Sequence, residues 1–534
     1  MRRSRFIAAS RVLILAAATL ASSAQALDGD IQIHDPATVI ADGTRFYTYG
    51  TGNGMPILSS DDGWNWQRRG TLMSALPGGK PGAEVLARGG NNTWAPDVIH
   101  VGDKFFLYYA APGTQPKAAI GLLVGRTLDP ESPDYKWEDG GPVAWSDGVE
   151  DSNAIDPGVL LAPDGKLWLT YGSYFGYIRL VELDPKTGKR LYPNKPPVNI
   201  AINSEASIPI YHDGWYYLLV THGSCCQGAN STYNIRMGRA RKVTGPYLDN
   251  MGVDMLEGGG KLFAASRGRH VGPGHFGLLD LGEGVQKFSL HYEADLDRGG
   301  ISVLDIRPLL WSDGWPVAGD NLVPGTYTLE SARTGTVLEL AVQGSPVGGP
   351  RPRRGGPPGS GIGGGGPNAG GPNAGGPPPG GPPAGGPPPG GPPEFRPGPA
   401  VPDQEAIQVA VNWPATTEVR LAPAMLQAQQ KWMLAPAPGA GCTPGGPCFR
   451  ISIAGTERSL TATREGELAA TPFTGAPEQL WRIDQLTDGS YRISPKSAPG
   501  SAAPLALSAV GSSMPTLAKF DPASDRQRWL LRAP

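Results

Sequence analysis

Five polar residues each open a short apolar stretch within the first 280 positions: Asp35, Asp97, Asp156, Glu205 and His275. Their settings are His34-Asp35-Pro36-Ala-Thr-Val-Ile40, Trp94-Ala-Pro-Asp97-Val-Ile-His100 and Asn153-Ala-Ile-Asp156-Pro-Gly-Val-Leu160. Ser204-Glu205-Ala-Ser-Ile-Pro-Ile210 and Gly272-Pro-Gly-His275-Phe-Gly-Leu-Leu279 follow. Carboxyl and imidazole groups transfer protons, and carboxyls gathered in one low-dielectric site are pushed to different pKa values. Taken singly, each has a plainer reading. An Asp-Pro pair initiates turns, Asp97 can simply cap one, and His275 can be a hydrogen-bonded core histidine. Gly272 and Gly274 also leave His275 room for an ion or solvent. Three carboxylates recurring at matching places of a repeat are not explained by turn chemistry.

The repeat itself supplies the positioning. A turn followed by an aromatic-rich strand recurs five times, beginning at Asp42, Gly102, Asp164, Asp213 and Gly282. Asp-Gly before alternating aromatic and β-branched residues is a hairpin signal, and no segment shows sustained helical periodicity. Five units of about 50–70 residues built of short strands imply a five-bladed β-propeller over residues 27–320. If the stretch before each hairpin turn is the innermost strand of its blade, the five polar residues form a ring at one end of the central channel.

Residues 321–534 carry a second repeat. Gln430-Lys-Trp432, Gln479-Leu-Trp481 and Gln527-Arg-Trp529 place tryptophans 49 and 48 residues apart. Similar strands open the repeats, at Tyr327, Phe449 and Tyr491. The first repeat is too long by the length of residues 344–400, a Gly-Gly-Pro-rich run without apolar bulk, which reads as a disordered loop inserted into it. The Gln-x-Trp triplets resemble those of the ricin-type β-trefoil, in which they are packing elements. That family's sugar contacts use an Asp and an aromatic near the middle of each repeat, and no convincing Asp is found here. The expected fold is therefore all-β: a five-bladed propeller, then a β-trefoil containing a disordered Gly/Pro-rich insertion.

The chain has 534 residues, too many for one core, and its formal charge of −2 gives no reason to expect nucleic acid or an anionic membrane as partner. Arg2, Arg3 and Arg5, the apolar run from Val12 to Leu20 and Ala24-Gln25-Ala26 have the form of a secretory signal, so residues 1–26 are expected to be removed. No later segment is apolar enough to span a bilayer; a soluble monomer, secreted or periplasmic, is expected. Export permits disulfides. A turn could join Cys442 to Cys448, whereas the adjacent Cys225 and Cys226 are expected to be free, buried small residues.

Taken together, the motifs His34-Asp35-Pro36, Trp94-Ala95-Pro96-Asp97, Asn153-Ala154-Ile155-Asp156-Pro157 and Ser204-Glu205-Ala206 resemble glycoside hydrolase family 43, and within it the arabinan endo-1,5-α-L-arabinosidases. Cys225-Cys226 with Ser231-Thr232-Tyr233, and Gly274-His275, fit the same pattern, and the resemblance spans roughly residues 30–315. It implies an inverting hydrolase of arabinan, the polysaccharide of pectin side chains. Asp35 would be the general base, Glu205 the general acid, and Asp156 a modulator raising the pKa of Glu205. Inversion implies a base-to-acid separation of roughly 6.5–9.5 Å. The resemblance also implies sugar contacts from Trp94, Gly113, Asn153, Ser173, Tyr174 and Phe175, the last where Trp is common. His275 would hold a central, structural Ca²⁺, largely through waters. Two competing readings are an exo-acting arabinofuranosidase or β-xylosidase on the same propeller, and a non-catalytic carbohydrate-binding protein. The full Asp/Asp/Glu set speaks against the latter.

Overall fold

The computed structural model describes residues 27–149, 152–341, 413, 417–442, 446–511 and 514–533. The expected signal segment 1–26 and the insertion 344–400 lie outside the described residues.

Residues 27–318 form five antiparallel sheets arranged as a five-bladed propeller. Four of them have four strands in sequence order; the first has a fifth, Asp28–Gly29, added parallel to Asn65–Thr71. The innermost strands are β1 (Ile40–Asp42), β2 (Trp94–Val101), β3 (Gly158–Leu161), β4 (Glu205–His212) and β5 (His270–Asp280). Each turns into the second strand of its blade at the predicted hairpin, and Gly43, Gly102, Gly165, Gly214 and Gly282 take the positive φ these turns need. The second strands are the most buried; in Lys104–Pro112 every residue after the lysine is buried. Alternation puts one apolar face against each neighbouring blade, so the core lies between blades. Phe105, Leu107 and Tyr109 pack with Tyr47, Tyr49 and Ile57 of blade one, whereas Phe106, Tyr108 and Ala110 pack with Leu167 and Leu169 of blade three.

The ring closes through the N-terminal segment. Leu304 N–H donates to Ile31 O over 2.8 Å and Ile33 N–H to Ser302 O over 3.2 Å, while Asp28 and Gly29 pair with Asn65 and Trp66. One short segment thus joins the outer edge of blade one to blade five. The inner strands run away from the predicted ring and end around an apolar cavity of about 540 Å³ lined by Val39, Val98, Leu160, Ile210 and Leu279.

From Gly325 onward the described residues form one large sheet and a hairpin, Leu505–Val510 with Met514–Lys519. The three Gln-x-Trp triplets occupy equivalent places. Each Gln ends a short 3₁₀ turn, and Trp432, Trp481 and Trp529 begin strands with their rings fully buried. Each indole N–H donates over 2.8 Å to a leucine carbonyl, of Leu338, Leu460 and Leu507 respectively. Each Gln amide is used twice in the same way. Its nitrogen donates to the carbonyl of Pro423, Pro472 or Lys519, and its oxygen accepts the N–H of Met425, Thr474 or Asp521. The triplet packs a large ring while satisfying the polar groups buried with it.

Among the described residues α-helix is confined to Ala83–Arg88, and no helix is long and apolar enough to cross a membrane. Cys442 and Cys448 are bonded as expected. Cys225 and Cys226 are not free, and Cys226 is exposed: the pair forms a vicinal disulfide in the loop after the second strand of blade four.

Candidate active site

One residue per blade takes a left-handed conformation at the head of its inner strand: Asp35 (φ 47°), Ala95 (40°), Asp156 (55°), Ala206 (48°) and His275 (59°). Side chains other than glycine are rarely found there, and each such residue costs about 1 kcal/mol. In β2, β4 and β5 the register shifts at this point, a bulge that redirects the side chain. The five predicted polar residues therefore do not share one register. Asp35, Asp156 and His275 hold the left-handed position; Glu205 stands one residue before it, matching His34, and Asp97 two residues after it.

That offset separates Asp97 from the rest. It is buried, and its Oδ1 accepts the N–H of Thr38 (3.1 Å) while Oδ2 accepts that of Val159 (2.9 Å). One carboxyl thus joins the inner strands of blades one, two and three.

Asp35 is enclosed by donors. Its backbone N–H donates to His291 Nδ1 (2.8 Å), and its Oδ2 accepts the Thr51 hydroxyl (2.7 Å) and lies 2.9 Å from His34 Nδ1. Oδ1 is 3.4 Å from His275 Nδ1. Burial alone would raise the pKa of Asp35, but His34 and His275 hold it well below the carboxylate range. His34 is in turn raised to about 11: burial works against its charge, and Asp35 and Glu293 on either side overcome it. Glu293 Oε1 lies 2.9 Å from His34 Nε2. Its carboxyl is lowered to about 2, the effect of burial being outweighed by His291 and His34.

Glu205 behaves oppositely. Burial, joined by the charges of Asp35 and Glu293, raises it to about 7, against the Tyr233 hydroxyl that donates to its Oε1. Asp156 Oδ2 accepts the N–H of Ala206 over 3.1 Å, which places it beside Glu205. Burial and the Glu205 charge push the Asp156 carboxyl well upward as well. Two buried carboxyls in one field cannot both ionise readily, so the pair retains a proton at a pH where Asp35 is fully charged.

His275 is buried, and its Nε2 has no hydrogen-bond partner. Burial works against a charge on this ring, and the contact with Asp35, with Asp156 and Asp97 nearby, outweighs it. A cation in the same acidic surroundings would take the place of that proton and leave Nε2 free to accept from a water. An orphaned buried nitrogen in an acidic setting fits a water-bound cation.

The other predicted residues fall into two groups. Asn153 and Ser173 are buried and bonded to each other, Ser173 Oγ donating to Asn153 Oδ1 (2.5 Å) and Asn153 Nδ2 to Gln115 Oε1 (2.6 Å). They tie the loop before β3 to the hairpin containing Gly113, which packs against Gly89. Tyr174 and Phe175 are 41% and 55% exposed, and the Tyr174 hydroxyl donates to Thr221 O. Trp94 is half-buried at the start of β2. Sequence reasoning missed His34, Thr51, Tyr233, His291 and Glu293 as site residues. His291 and Glu293 were detectable, as polar residues alternating with the apolar Leu290, Tyr292 and Ala294.

A propeller whose axis gathers one strongly ionised and one proton-retaining carboxyl has the equipment of a glycoside hydrolase. Residues 30–316 match the model for Glycosyl hydrolases family 43, and the chain belongs to that family. It is similar to the extracellular endo-alpha-(1->5)-L-arabinanase 1 of Bacillus subtilis, 34% identical over 53% of this chain and 87% of that protein. It is equally similar to the extracellular exo-alpha-(1->5)-L-arabinofuranosidase ArbA of Cellvibrio japonicus, 34% identical over 57% and 90%. The structure of Cellvibrio cellulosa alpha-L-arabinanase complexed with arabinohexaose covers 54% of this chain and 95% of that one, at 31% identity and a TM-score of 0.50.

Proposed function

We propose that the enzyme hydrolyses the α-1,5-arabinofuranosidic bonds of arabinan with inversion, acting within the chain. One observation carries the reading: Asp35 is held ionised while Glu205, in the same site, is raised to about 7. Asp35 Oδ would take a proton from a water molecule as the water oxygen bonds to the anomeric carbon. Glu205 would give its proton to the glycosidic oxygen as the bond to it breaks. Asp156 bears on Glu205 as a buried neighbour of like charge. The relatives acting on α-1,5-L-arabinan support the substrate, and they include both endo and exo enzymes. The exposed Tyr174 and Phe175 suit an open cleft, where aromatic faces stack on successive sugars. Product profiling on linear 1,5-arabinan is the test. Mixed oligosaccharides are expected; a single short product would mean exo action, and no product would reject the substrate.

Further readings go with this one. His275 would hold Ca²⁺ largely through waters, and the ion would supply fixed positive charge at the axis. The three equivalent Gln-x-Trp packings support a ricin-type β-trefoil in the C-terminal region. The signal-like residues 1–26, and relatives named extracellular, support export. A monomer is the simplest working state.

A further inference from the structure

Glu293 is a buried carboxyl for which the acid–base reading has no use. It lies on β6 (Gln286–Asp295), the second strand of blade five, two residues from His291 and on the same face. Leu290, Tyr292 and Ala294 alternate with it on the opposite, core face, and its own face carries the buried Ser289, His291 and Asp295. A carboxyl placed in such a strand needs partners, and it has them. Oε1 meets His34 Nε2 at 2.9 Å and lies 3.5 Å from His291 Nε2; Oε2 accepts the N–H of Cys226 at 3.2 Å.

Glu293 bonds His34 and lies beside His291, and each of these histidines holds Asp35 with its other nitrogen. His34 Nδ1 is 2.9 Å from Asp35 Oδ2, and His291 Nδ1 accepts the Asp35 backbone N–H. The two rings are stacked at 4.6 Å, so neither turns without displacing the other. His291, accepting at Nδ1, carries its proton on Nε2, on the Glu293 side. The Cys226 amide belongs to the loop carrying the vicinal disulfide, which is tied back where the Ser224 N–H donates to Thr232 Oγ1 and the Ser231 hydroxyl to Ser224 O.

We infer that Glu293 is a positioning residue for Asp35, acting through His34, against which His291 is stacked, and held at its other oxygen by the Cys226 amide. The side chain touches no reacting atom. It sets the azimuth of the His34 ring, and with it the lone pair that Asp35 turns towards water. Misplacing a reacting group by an ångström costs on the order of 100-fold in rate without a comparable loss of binding.

The inference rests on Asp35 being the base, and its test separates the two. On linear arabinan, Glu293→Ala should lower kcat about 10- to 100-fold with KM changed less than about twofold. Glu293→Gln keeps an oxygen for His34 and should recover most of the rate. His34→Ala should show a similar loss, and the double variant should lose no more than the worse single one, because both changes cut the same link. Losses that multiply in the double variant, or an unchanged kcat in Glu293→Ala, would overturn the inference. A crystal structure of Glu293→Ala needs no substrate: His34 should leave Asp35, and an unmoved ring would equally overturn it. If the wild type does not cleave arabinan, the substrate reading fails and the crystallographic comparison still decides the role of Glu293.

Discussion

The Tyr233 hydroxyl donates to Oε1 of Glu205 and, with the charge of His275, draws the Glu205 carboxyl downward while burial and the charges of Asp35 and Glu293 draw it up. A donor to a carboxylate favours its ionised form. Glu205 therefore sits near 7 as a balance between these forces.

The pH profile of kcat/KM should reflect this. Activity needs Glu205 protonated and Asp35 ionised, so the rate should fall as pH rises through about 7. The acid limb should lie below the usual carboxylate range, because Asp35 is held down by its histidines. In Tyr233→Phe the restraint is gone and the alkaline limb should move to higher pH. Movement to lower pH would contradict the assignment of Glu205 as the acid.

Glu205→Gln should lower kcat on linear arabinan by about 10²- to 10⁴-fold, the range for losing a general acid. The side chain keeps its shape, so circular dichroism and the thermal midpoint should stay near wild type. Near-wild-type turnover would remove Glu205 from the mechanism.

For Asp97 the expectation is reversed. Asp97→Ala leaves the amides of Thr38 and Val159 buried without partners, costing about 3 kcal/mol. The thermal midpoint should drop by about 5–10 °C, with the residual folded enzyme keeping its pH profile. A shifted profile at unchanged stability would return Asp97 to the catalytic group.

Calcium is tested by its removal. Exhaustive chelation should lower the thermal midpoint, added Ca²⁺ should restore it, and His275→Ala should be insensitive to both. A wild type whose midpoint ignores chelator and ion alike would show that His275 serves without a metal.

The blades were legible in the sequence because hairpin chemistry is local. Asp42-Gly43 and Asp164-Gly165 specify turns, and the residues after them alternate as strands of a sheet do. The ring of five equivalent polar residues was not legible. Bulges displace the register by one or two positions, and spacing alone could not tell that Glu205 matches His34 and not Asp35. The surroundings of Asp35 were hidden for another reason: Thr51, His291 and Glu293 reach it from other strands across the ring. The adjacent cysteines were misread because packing preference was weighed without the loop that exposes them. In the C-terminal region the Gln-x-Trp triplets were plain, since each pairs a local turn with a ring needing one carbonyl partner.

The clasp between Ile31–Ile33 and blade five carries a consequence for assembly. Asp35 follows that clasp directly, and its amide is held by His291, which the ribosome adds 256 residues later. No partial chain lacking blade five can arrange this centre, however well its earlier blades have folded. Hydrolytic competence thus arrives at a single moment, when the segment that opens the propeller meets its fifth blade.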